Sequence, residues 1–205
     1  MSSPDVQPLT RPPRTNHLPF VVLLGAPALL LAALLTLGYL YSTSSPSQNV
    51  TMGDRAFIVA VPELLDATRN TAGYDAKAEV LRKTRLARGG RELEYRFAGA
   101  RPPWRVDSRV IAELDPAQAQ ATFTQLAERE LVTPGLTLAP LTMPWGDESM
   151  SGTLQRDEAT VGHYFLGRKG SRVVFYRVEG LVLTAPLSFE AFIAPRLALA
   201  ETFAP

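Results

Sequence analysis

An imidazole, a pair of adjacent carboxylates and an indole are the side chains of this chain best suited to chemistry or recognition. His163 is the sole histidine beyond the first 49 residues, so acid–base or metal chemistry on an imidazole has one candidate there. A metal site would have to combine it with carboxylates such as Asp147, Glu148, Asp157 or Glu158, yet no pair of ligand residues has the spacing of a helical His-x-x-x-His site. No metal set and no cofactor is expected. Ser149 and Ser151 stand outside any Gly-x-Ser-x-Gly elbow, which argues against a serine hydrolase. Asp147 and Glu148 point apart on an extended backbone and form no tuned dyad without a tight turn. No catalytic residue is therefore assigned.

Binding is the better use of these groups. Residues 132–152 lose all periodicity among Pro, Gly and Thr, and so long a connection is uncommon unless it binds something or moves. Trp145 lies in it with Asp147 and Glu148, and His163 and Arg168 follow. A Trp in such a place can anchor an interface. Basic residues make a second surface, with Arg82, Lys83, Arg85, Arg88 and Arg91 crowded into one hairpin. Anionic headgroups or an acidic partner would suit that patch. Interspersed Glu92, Glu94 and Asp107 support the competing reading of an ordinary solvated hairpin.

Several elements must position these groups. The apolar spacing predicts a short helix over residues 62–69, with Pro62 in its first turn. Strand-like runs at residues 80–86 and 92–97 flank a Gly-containing turn and predict a hairpin, which residues 104–114 extend. In its second arm Leu93, Tyr95 and Phe97 alternate with Glu92, Glu94 and Arg96, giving one apolar and one solvated face. Asp115, Pro116 and Gln118 have the grammar of a helix start, and Ala119, Phe123, Leu126, Ala127 and Leu131 mark one apolar face after it. A second hairpin is predicted over residues 159–166 and 173–178. Its return arm is apolar on both sides, as a central strand must be. Residues 188–203 read as a closing helix that contains Pro195.

Residues 18–41 carry no charge and are long enough to cross about 30 Å of hydrocarbon as one helix. They are longer than the apolar part of a cleaved signal peptide and are read as a retained anchor. Arg11 and Arg14 precede them and no basic residue follows until Arg55, which leaves the N-terminus in the cytoplasm. Gly25, Pro27, Ala28 and Ala32 are candidate contacts with another membrane helix. The expected organisation is a cytoplasmic tail over 1–17, the anchor over 18–41, a Ser-rich tether over 42–53 and one domain over 54–205, periplasmic or otherwise extracytoplasmic. Past residue 49 the chain has 19 basic and 19 acidic residues, so nucleic acid is not an expected partner. The absence of Cys excludes disulfides, thiol nucleophiles and thiolate metal sites.

The fold class expected is α+β, a single transmembrane helix followed by an antiparallel sheet with helices packed on its faces. The order resembles the PsbP-like family in Gly146-Asp147-Glu148-Ser149, the strand through Phe165, the Arg168-Lys169-Gly170 turn, the Val173-Val174-Phe175-Tyr176 strand and the terminal helix. The resemblance implies an accessory or binding domain rather than a catalyst. The expected function is a noncatalytic interaction module on the inner membrane, an accessory or assembly subunit of a larger membrane protein complex. A small-ligand sensor or carrier is the alternative, and a His163-centred enzyme or metal protein the third.

Overall fold

The computed structural model describes residues 47–69, 75–101, 104–132, 135–183 and 187–205. Its centre is an eight-stranded sheet in the order β1-β2-β3-β4-β8-β7-β6-β5, with every neighbouring pair antiparallel. The strands are β1 (Ser47–Gln48), β2 (Asp75–Arg85), β3 (Arg91–Arg101), β4 (Arg105–Ala112), β5 (Thr137–Leu141), β6 (Glu148–Arg156), β7 (Ala159–Lys169) and β8 (Arg172–Glu179). The helices are α1 (Met52–Arg55), α2 (Val61–Thr68), α3 (Pro116–Glu130) and α4 (Phe189–Ala200).

The expected architecture of a transmembrane helix leading into a PsbP-like α+β domain is corrected. The described chain is a predominantly antiparallel sheet with a few helices, and no helix among the described residues is long and apolar enough to cross a membrane. Residues 18–41, with Gly25, Pro27, Ala28 and Ala32, lie outside the described residues. Much of the difference arises in residues 132–152, expected as one loop, which supply β5 and the first half of β6. A two-residue turn at Asp157 and Glu158, both with positive φ, then joins β6 to β7. The run Ser149-Met150-Ser151-Gly152-Thr153 is a strand through its pairing with β5 on one side and β7 on the other.

Alternation along the central strands builds two cores. One face packs Leu93, Tyr95, Phe97, Val106, Val110, Phe165, Val174 and Tyr176 against Val61 and Leu64 of α2 and Phe192, Ile193 and Leu197 of α4. The other packs Ile111, Leu154, Leu166, Val173 and Phe175 against Ala119, Phe123 and Leu126 of α3. β8 lies between β4 and β7 and buries side chains on both faces, as its doubly apolar sequence requires.

The segment between α1 and α2 runs buried without regular structure, so its backbone polar groups need side-chain partners. Tyr176 donates its hydroxyl to Phe57 O at 2.7 Å, Val59 N donates to Ser108 Oγ at 2.9 Å and Arg196 Nε donates to Ile58 O at 2.9 Å. Arg196 also pairs with Glu63 and lies over the Phe192 ring, tying α4 to α2. On the opposite face Asp115 caps α3 by accepting from Gln118 N at 2.8 Å, and Pro116 occupies the first turn.

Gly90 closes the β2–β3 turn against the end of β4. A Cβ there would stand 2.4 Å from Ala112 O and 3.1 Å from Glu113 Oε2. Gly90→Ala should therefore displace the backbone and cost about 1–3 kcal/mol, seen as a lower urea midpoint with an unchanged slope.

Candidate functional site

Four of the residues singled out in the sequence meet at the β7–β8 turn. Asp147 accepts from Arg168 Nη1 at 2.9 Å and from Gly170 N at 2.8 Å, while its own N–H donates to Arg168 O at 2.8 Å. Glu148 accepts from Gln120 Nε2 at 3.0 Å and lies 3.9 Å from Arg168 Nε. Trp145 is half-buried, edge-on to Phe165 with ring centroids 6.1 Å apart, and its six-membered ring covers Gly167. These contacts make a structural clasp that pins the connection before β6 to the turn after β7.

His163 stands apart, five residues along β7 from Arg168. Its Nε2 accepts from Leu183 N at 3.0 Å, and its ring stacks on Phe189 at 5.0 Å. Burial lowers its pKa, against the opposing pull of Glu190. A neutral imidazole with an accepting Nε2 carries its proton on Nδ1, which has no hydrogen-bond partner. Among the described residues no group of three His, Asp or Glu side chains is placed to hold a metal ion.

The basic hairpin divides between the two faces of the sheet. Arg82 pairs with Glu94 at 2.5 Å on one face, and Lys83 pairs with Asp54 at 2.8 Å on the other. Arg85 and Arg91 stand directly opposite each other across β2 and β3. Among the described residues, neither they nor Arg88 at the turn enters an ion pair.

The acids of β3 and β4 are not simply solvated. Glu94 is 1% exposed and Asp107 2%, both beside α3 on the face that the sequence reads as wet. Register supplies their partners, since Glu94 lies opposite Arg82 and Arg109, and Asp107 opposite Arg96 and Arg177. Arg109 Nη2 donates to Glu130 Oε1 at 2.8 Å, and its Nε lies 3.3 Å from Glu94 Oε1 without hydrogen-bond geometry. Arg177 Nη1 donates to the Glu130 carbonyl at 2.7 Å, placing a cation at the C-terminal end of α3.

Beside this network a cleft of about 420 Å³ opens between α3, the end of β4 and the β2–β3 turn. Leu86, Ile111 and Leu126 give it apolar surface, and Glu92, Glu113, Arg88 and Arg129 give it charge. Glu113 is buried and accepts from Thr122 Oγ1 at 2.6 Å. Glu92 is half-buried opposite Thr84 and Ile111, neither of them charged. Burial first, and then the negative charge of Glu94, raise its pKa. The sequence reading missed this cleft because its residues come from three separated segments. The one local signal is Thr122, Leu126 and Arg129 at helical spacing on one side of α3.

No family model and no curated protein matches the chain. Among solved structures the chain is similar to the extracellular domain of PknH from Mycobacterium tuberculosis. That likeness covers 76% of this chain and 99% of that one, at 11% identity and a TM-score of 0.42. It is a weak resemblance to an extracellular domain and carries no argument about function. The PsbP-like resemblance has no counterpart in these comparisons.

Two titrations with opposite sign follow from the geometry. With the folded pKa of His163 depressed below 6.5, the unfolded chain protonates first, so stability falls as pH drops below that value. His163→Gln should remove that part of the loss in melting temperatures measured between pH 7 and pH 5. For Glu92 the folded pKa is raised above 4.5, so the folded chain holds its proton longer and stability falls as pH rises through the folded value. Glu92→Gln should melt higher than the parent at pH 7, and the difference should vanish below pH 4.5.

Proposed function

We propose that the domain is a noncatalytic interaction module that docks an acidic partner protein through the end of the β2–β3 hairpin, acting as an accessory or assembly subunit of a larger complex. One observation supports this reading above the others: Arg85 and Arg91 face each other across the strands with no acid to separate them. Like charges directly opposite in an antiparallel pair cost stability, and an acidic partner would relieve that cost. Each of the neighbouring Arg82 and Lys83 has its own carboxylate within the fold, so the unpaired charge is concentrated at the hairpin's end.

Charge of this kind steers encounter and is screened by salt, so association should weaken steeply with ionic strength. The test is crosslinking of the full-length chain in a native extract. A discrete partner should be captured, its yield falling about tenfold with Arg91→Glu, while the same substitution raises fold stability by about 0.5 kcal/mol by creating an opposite-charge pair with Arg85. Absence of any crosslinked partner, or a yield indifferent to Arg91→Glu, would overturn the reading.

A further inference from the structure

We propose that the cleft between α3 and the β2–β3 hairpin binds a small zwitterion, its ammonium group against the Glu92 and Glu113 carboxylates and its anionic end against the Arg88 and Arg129 guanidiniums. The site lies across the strand from Arg91, because successive side chains of β3 point to opposite faces. Glu92, Glu113 and Arg129 take no part in the partner-docking reading, so the two proposals can fail separately.

Besides Arg109, four charged side chains, two of each sign, line one cleft. None of them is in an ion pair among the described residues, and only Glu113 has a hydrogen-bond partner there, the Thr122 hydroxyl. Opposite charges that merely stabilised the fold would close on each other, as Arg82 and Glu94 do a few residues away. Here they are kept apart, and these four, Arg109 aside, are also sorted by depth. Glu113 is buried and Glu92 half-buried, whereas Arg88 and Arg129 are exposed at the mouth. Arg109, also in the lining and buried, is held by Glu130, and its charge acts on Glu92 against the burial and the Glu94 repulsion.

A ligand bearing only a positive charge would meet the two arginines on entering, and one bearing only a negative charge would meet the two glutamates at the bottom. A molecule with both satisfies each pair with its opposite. The volume of about 420 Å³ falls within the range of small-molecule sites, and Leu86, Ile111 and Leu126 offer apolar contact for its carbon skeleton. An ammonium beside Glu92 would also offset the burial and the Glu94 repulsion that raise its pKa, so binding should release a proton in the pH range where Glu92 titrates. The shared chemistry is a primary ammonium joined through a few atoms to a carboxylate or phosphate. A free apolar amino acid and a phosphoethanolamine group both carry it.

The test is titration calorimetry of the purified full-length chain with L-leucine and, separately, with O-phosphoethanolamine. Ethanolamine, acetate and inorganic phosphate serve as single-charge controls at matched ionic strength. At least one zwitterion should bind saturably and about tenfold more tightly than every control, and which of the two binds distinguishes the carboxylate from the phosphate source. Glu92→Gln and Arg129→Ala should each weaken it about tenfold, while Arg85→Ala on the opposite face leaves it unchanged. Across a pH series upward from 4.5, the binding heat should vary with the ionisation enthalpy of the buffer where Glu92 titrates in the parent, and at no pH in Glu92→Gln. No saturable binding of either zwitterion, equal binding of a single-charge control, or affinity unmoved by both cleft substitutions would overturn the proposal.

Discussion

The packing of α3 depends on charges taken out of water beside it. Glu94, Asp107, Arg109 and Arg177 are almost wholly buried, and an isolated ion in such a place would cost several kcal/mol. Strand register removes that cost by setting acids on β3 and β4 opposite arginines on β2, β3, β4 and β8. Glu130 then brings the last turn of the helix into the same network, its carboxylate to Arg109 and its carbonyl to Arg177. A one-residue slip of β3 would send Glu94 into the apolar face and Leu93 and Tyr95 toward the arginines, so the network also specifies register. That specificity, more than net stabilisation, is the physical role to assign to a buried ion set.

The two faces of the sheet solve the same problem with different groups. Under α2 and α4 the polar atoms to be satisfied belong to a buried irregular backbone, and neutral hydroxyls from Tyr176 and Ser108 serve them together with Arg196. Beside α3 they are side-chain ions, served by each other. The clasp of Trp145, Asp147 and Arg168 belongs to a third place, where the chain re-enters the sheet after β5. Its polar groups are turned toward holding a turn.

Local grammar was legible wherever one segment contained all the physics it needed. The start of α3 could be read from Asp115, Pro116 and Gln118 because capping is a contact between residues three apart. The central position of β8 could be read from its uninterrupted apolar run. Residues 137–156 were not legible, since Ser149, Ser151 and Gly152 have little strand preference of their own and Gly152 is held by close approach of Ala139 O and Tyr164. The alternation of Glu92, Glu94 and Arg96 was read correctly as one face of a strand and incorrectly as a wet face. Whether a helix lies beside that face is not a property of the strand.

By itself the amino-acid sequence determined the alternation of β3, the cap of α3, the doubly buried character of β8 and the exclusion of thiol chemistry. Each is a matter of neighbouring residues or of composition. Only the tertiary structure decided which charges are neutralised, because Arg82 and Glu94, or Arg109 and Glu130, are brought together by register and helix docking. It also decided which charges are left over. Arg85 and Arg91 meet across a hairpin, and Glu92, Glu113, Arg88 and Arg129 meet around a cleft, through distances no linear spacing encodes.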